Sequence, residues 1–67
     1  MSVAKVSEIS ATSSKSFEDA IRQGLDRAAK TLRHICGAWI KEQHVRCKEG
    51  KVTEYQVNMM VTFIIDD

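Results

Sequence analysis

The 67-residue sequence predicts an α+β subunit of order β-α-β-β, with a three-stranded antiparallel sheet packed on one helix and residues 1–67 forming a single domain. Three observations lead there. Apolar residues from Phe17 to Leu32 recur at spacings of three and four, the pattern of one buried stripe on a helix. After Gly37 the period falls to two, over two long runs joined at Lys48-Glu49-Gly50-Lys51. A chain this short buries only about 60% of its unfolded surface when it folds alone, so a disulfide, a metal or further copies of itself must help to complete a core.

The first element is a short strand marked by Val3, Val6 and Ile9 among Lys5, Ser7 and Glu8. It ends in a loop, Ser10-Ala11-Thr12-Ser13-Ser14, whose small hydroxyl side chains favour turns and caps. Ser16 with Asp19 three residues on forms a capping box, in which the serine oxygen and the carboxylate each satisfy an orphaned backbone N–H.

A helix therefore begins at Phe17. Its apolar stripe is Phe17, Ala20, Ile21, Leu25, Ala28, Leu32 and Ile35, and its outer face pairs Glu18 with Arg22 and Asp26 with Lys30 in the favourable acid-first order. Lys30, Arg33 and His34 suit the negative pole of the helix dipole, and Gly37 is the expected stop. Gly24 lies on the stripe, where it costs about 1 kcal/mol relative to alanine but admits a close neighbour. It reads as a packing notch.

Residues Ala38 to Cys47 then read as a second strand and Val52 to Ile65 as a third. Gly50 supplies the positive φ that a tight hairpin requires. In the third strand Tyr55, Val57, Met59, Val61, Phe63 and Ile65 share one face, and Glu54, Gln56, Asn58, Met60, Thr62 and Ile64 share the other. The first set packs under the helix. Placing strand three in the middle makes every pair antiparallel, giving the order 1-3-2.

These lengths do not match. A helix of about 17 residues spans about 26 Å, whereas a third strand of about 14 residues reaches about 46 Å. The far end of the hairpin, with Val45 and Cys47, and the uncovered sheet face, with Met60 and Ile64 among Gln56, Asn58 and Thr62, have the mixed character of an interface or a lined cavity. Self-association is the expected remedy.

Other classes find little support. Ten Lys and Arg against nine Asp and Glu give a net charge of +1, with no basic or acidic field to attract nucleic acid or an anionic membrane surface. The longest apolar run is far short of the roughly 20 residues of a membrane span, and Met1 to Ser10 has no continuous apolar core of a signal peptide. A cytoplasmic protein with free thiols is expected. Cys36 and Cys47 lie about 36 Å apart along a strand, against the roughly 4.4 to 6.8 Å that a disulfide needs. His34, Cys36, His44 and Cys47 suggest zinc, but His44 and Cys47 point to opposite faces of a regular strand. Asp66 and Asp67, with Glu8, Glu18 or Asp19, offer oxygens for calcium, yet no loop has calcium-binding spacing and solvated surface is the plainer reading. Neither cysteine has the partnered base of a nucleophile, so no enzyme is expected.

Four segments, in this order and spacing, carry a resemblance over nearly the whole chain. They are Ser14-Lys15-Ser16-Phe17-Glu18-Asp19-Ala20-Ile21, Ala28-Ala29-Lys30-Thr31-Leu32-Arg33-His34, Glu49-Gly50-Lys51-Val52-Thr53-Glu54-Tyr55-Gln56-Val57 and Val61-Thr62-Phe63. Together they resemble the dodecin family. That resemblance implies a hollow homododecamer of β-α-β-β subunits with 23 symmetry and no catalytic residues. It also implies flavins of the riboflavin or FMN type, held in pairs between tryptophans of neighbouring subunits for storage or sequestration.

One departure bears on the ligand. Flavin-binding dodecins carry an Asp-Trp-Phe-Glu-Val-like stretch at the start of strand two, and its stacking tryptophan aligns with Gly37 here. Trp39 lies two residues on, on the same face of a strand but displaced by about 6.6 Å. Gln56 stands where the family's flavin-contacting glutamine is expected. Family members without the stacking tryptophan are linked to other ligands such as calcium, and Gly37-Ala38-Trp39-Ile40-Lys41-Glu42-Gln43 looks closer to those.

Trp39 and Gln56 are thus the candidate ligand-binding residues. Trp39, the only tryptophan, serves either as a flat face for a conjugated ring or as an anchor between subunits. Gln56 is either a ligand contact or an ordinary outward polar residue. With a two-residue turn at Glu49-Gly50, Trp39 faces Met60 and Gln56 faces Gln43, so Trp39 and Gln56 are about 13 Å apart in one subunit. A ligand touching both then spans two subunits. The sequence therefore points to a non-enzymatic flavin-binding shell; the alternative is a flavin-free, dodecin-like shell binding calcium or another small ligand.

Overall fold

The computed structural model describes residues 2–65. Asp66 and Asp67, considered above as calcium ligands, lie outside the described residues. Strand β1 (Ala4–Ser13) leads to helix α1 (Phe17–Ala28), followed by the long hairpin of β2 (Ile35–Lys48) and β3 (Lys51–Ile64). The sheet has the order β1-β3-β2, antiparallel throughout, as geometry required.

The core lies between α1 and the central strand. Ala20 from the helix and Val57, Met59 and Val61 from β3 are fully buried, with Ile9, Ala11, Phe17, Ile21, Leu25, Leu32 and Ile35 packed around them. The alternation in β3 puts its odd-numbered apolar residues on that side. Phe17 meets Tyr55 edge-on, with ring centroids 5.1 Å apart, a favoured aromatic geometry. Gly24 is a close-approach position, because a Cβ there would lie 2.5 Å from Met59 Cε and 3.0 Å from Ala11 Cβ.

Four local expectations need correction. The segment Ser10 to Ser13 is strand, not loop, with Ser10 opposite Asn58 and Ser13 opposite Tyr55. Small polar residues suit a turn only where the backbone is free to take one, and here β3 extends far enough to hold them in the ladder. The capping box forms only in half. Ser16 Oγ accepts from Asp19 N at 2.9 Å, but the Asp19 carboxylate turns away from Ser16 and accepts from Ser13 Oγ and Gln23 Nε2, both at 2.6 Å. Buried Ser13 in turn accepts from the backbone N–H of Lys15 at 2.9 Å, so it closes the turn that a free loop was expected to make.

The helix is also shorter than its apolar stripe. It has 12 residues, and its end tightens as Lys30 N and Thr31 N donate to Arg27 O and Ala28 O at 3.2 and 3.1 Å, the i→i−3 pattern of a terminal turn. Leu32 and Ile35 still reach the core from non-helical backbone, because periodicity records which side chains face inward and not which backbone groups pair. The reversal into β2 falls at His34, with φ of 60°, and Gly37 lies within β2 opposite Thr62. Gly37 is therefore not the helix stop.

The hairpin closes on Glu49 and Gly50, with φ of 53° and 77°. Two successive positive values mark a type I′ turn, whose twist matches that of the strands it joins.

Candidate functional site

The helix packs on β1 and β3, leaving β2 uncovered. Apart from Ile35 at its start, every residue of β2 is exposed. The opposite face of the sheet carries no helix at all, and there the ladder lines up side chains in cross-strand rows. One row holds Glu8, Met60 and Trp39; the next holds Ser10, Asn58 and Glu42; the third holds Thr12, Gln56 and His44.

The register explains why these residues meet. From the turn upward β2 and β3 do not stay in step: shifts occur between Arg46 and Cys47, between Ile40 and Glu42, and between Ile35 and Gly37. At the second of these, Lys41 is the extra residue on β2, a bulge that leaves Ile40 on the helix side opposite Met59 and puts Glu42 on the open face opposite Asn58. A regular strand would have paired Gln56 with Gln43. The shift between Arg46 and Cys47, where Thr53 is the extra residue on β3, pairs it with His44 instead and corrects that part of the expected register, and the Lys41 bulge then restores the step so that Trp39 does face Met60.

Polar contacts run along the rows and between them. Glu42 Oε1 accepts from Asn58 Nδ2 at 2.9 Å, Asn58 Oδ1 accepts from Gln56 Nε2 at 3.1 Å, and Gln56 Nε2 also donates to Ser10 Oγ at 3.1 Å. His44 Nε2 stands 3.9 Å from Glu42 Oε2, and the bulged Lys41 reaches across to Glu8 Oε1 at 3.2 Å. The Asn58 hydrogen bond holds the Glu42 carboxyl below the usual range, with some opposition from desolvation and a smaller contribution from the charge of His44. Glu42 is therefore a carboxylate at neutral pH.

Both candidate ligand residues lie on this face. Trp39 is 52% exposed, an unusual state for so large an apolar surface. Gln56 is half-buried and four residues from the Trp39 row along β3, about 13 Å. Within one chain the structure does not bring them together. Sequence reasoning placed Asn58 on the open face but passed over Glu42 and Ser10, because the register shifts at Thr53 and Lys41 have no mark in the alternation pattern and Ser10 was expected in a loop. Among the described residues no three His, Cys, Asp or Glu side chains are grouped to hold a metal ion, and no helix is long and apolar enough to cross a membrane.

Comparison with known proteins agrees with this architecture. The dodecin family model matches residues 3–66. The dodecin of Thermus thermophilus is 40% identical over 65 residues, covering 97% of this chain and 94% of that one. A crystal structure of an arginine-to-alanine variant of the T. thermophilus dodecin superposes with a TM-score of 0.94 at 39% identity, covering all of both chains. Dodecin from Streptomyces davaonensis gives 0.92 at 30% identity, over 98% of this chain and 97% of the other. A calcium dodecin from Mycobacterium tuberculosis, described as calcium-chelating with a novel calcium-binding site, gives 0.81 at 31% identity, over 96% and 91%. With its β-α-β-β order, its central third strand and a family match across nearly its whole length, this chain belongs to the dodecin family, whose members are small ligand-binding proteins.

Proposed function

We propose that this protein is a non-enzymatic, cytoplasmic homododecamer that binds and sequesters a flavin of the riboflavin or FMN type between its subunits. The observation that carries the reading is the half-exposed Trp39 beside Met60 at the head of an amide ladder, on a sheet face that its own helix leaves bare. An indole next to a thioether offers a flat, polarisable apolar surface for a conjugated ring. The amides of Asn58 and Gln56 offer hydrogen bonds for its polar edge.

Trp39 and Gln56 are too far apart for one ring to touch both within a subunit, so the ligand sits where two subunits meet. The displacement from the Gly37 position makes this a shifted version of the family's site. Titration of riboflavin and FMN with the assembled protein tests the reading. We expect quenching of flavin fluorescence, weakened at least tenfold by Trp39→Ala; flavin emission unchanged by stoichiometric protein contradicts it.

A second reading is a flavin-free shell that binds calcium, favoured by the likeness to the calcium dodecin and by two carboxylates, Glu8 and Glu42, on the same open face. Cation binding would then draw oxygens from more than one subunit. Calorimetry with calcium and with riboflavin, run side by side, separates the two: heat from calcium alone supports the second reading.

A further inference from the structure

The ladder on the open face has a direction, and the direction is imposed from one end. A carboxylate can only accept hydrogen bonds. Glu42 Oε1 therefore requires the amide nitrogen of Asn58 on its side, at 2.9 Å, which turns Asn58 Oδ1 toward Gln56. That oxygen requires the nitrogen of Gln56, at 3.1 Å, and the second N–H of the same nitrogen is taken by Ser10 Oγ at 3.1 Å. Both donors of Gln56 are thus used within the chain. Its carbonyl oxygen alone is left for an outside partner among the described residues.

We propose that Glu42, acting through Asn58, is a positioning residue that fixes the Gln56 amide with its carbonyl oxygen outward, so that the site selects planar rings bearing an N–H donor on their edge. The inference rests on the flavin reading above and deepens it. The isoalloxazine ring presents an imide N–H between two carbonyls; with the amide held this way, Gln56 takes the N–H and cannot also donate to the flanking oxygens. Were the ladder reversed, Gln56 would present its NH₂ group and would bind a ring carbonyl instead. Only the acceptor-only character of Glu42 breaks that symmetry, since every other member of the chain both donates and accepts. Glu42, whose carboxyl the Asn58 bond holds below its ordinary value, stays a carboxylate across the neutral range, and the direction stays fixed with it.

The test compares riboflavin with riboflavin methylated on the imide nitrogen, each titrated into the assembled wild-type protein and its Glu42→Gln and Asn58→Ala variants. Wild type should prefer riboflavin by about tenfold, the worth of one net hydrogen bond to a half-buried group. Glutamine at position 42 can donate as well as accept, so the ladder is free to reverse and the preference should fall to within about threefold. Asn58→Ala uncouples Gln56 from Glu42 and should give the same collapse. A merely structural role for Glu42 would weaken both ligands alike and leave the ratio intact, which would overturn the proposal. Equal binding of the two flavins by wild type would overturn it while leaving the flavin reading standing, whereas no binding of riboflavin would overturn both.

Discussion

Gly24 shows how a single residue sets the spacing of helix and sheet. Alanine there would gain about 1 kcal/mol of helix propensity, yet its Cβ would press on Met59 Cε and on Ala11 Cβ. The methionine tip can give, but Ala11 Cβ is fixed to the β1 backbone, so the helix must lift from the sheet. Overpacking of this kind costs about 1 to 3 kcal/mol. We expect Gly24→Ala to be less stable by about 1 kcal/mol, read as a lowered denaturation midpoint at fixed protein concentration; a raised midpoint contradicts the notch. Its place on the apolar stripe made the notch legible in the sequence.

Asp19 was harder to read. The spacing from Ser16 suggested a reciprocal box, but the hydroxyl of Ser13, unseen as a strand terminus, competes for the carboxylate and is the main cause of its lowered pKa, opposed by desolvation and assisted by Gln23. A carboxyl whose pKa falls on folding contributes stability that is present above its unfolded value, about 3.9, and is lost as pH falls through the folded value. The melting temperature of wild type should therefore exceed that of Asp19→Asn at pH 6, and the gap should close on acidification below pH 4. A gap independent of pH would show that the charge is not what matters.

At the scale of elements, the strands were more legible than the helix. Alternation identified β3 and its buried face, and Gly50 marked the turn. The helix end was not legible, since Leu32 continues the stripe from the irregular segment after the helix and Ile35 from the start of β2. The bulge at Lys41 was hidden for a related reason: Lys41 is as acceptable in a bulge as in a regular strand, and only the step from Glu42 opposite Asn58 to Ile40 opposite Met59 reveals it.

The turn yields a direct prediction. Glu49 takes the left-handed conformation at φ 53°, which disfavours most side chains by about 1 kcal/mol or more but is tolerated by asparagine. Glu49→Asn should raise stability by about 0.5 to 1 kcal/mol, measured by denaturant unfolding. An unchanged or lowered midpoint would show that the turn is not limiting.

At the scale of the whole molecule, the mismatch is larger than the sequence suggested. The 12-residue helix spans about 18 Å, while the chain extends 51 Å along its longest axis. Ile40, Val45 and Val52 remain 38%, 45% and 44% exposed along the uncovered hairpin, and both β1 and β2 are sheet edges. Apolar side chains on a long open edge are an aggregation hazard unless another chain covers them. The mismatch between helix and sheet was therefore legible from two lengths alone, whereas the rows that form the candidate site needed the register.

Light scattering on a sizing column at micromolar concentration tests that account most directly, because it asks whether copies of this chain complete one another. The account predicts a single closed species at the mass of twelve subunits, with Val45→Lys shifting it toward smaller ones. A compact, fully folded species of 7.6 kDa would contradict it.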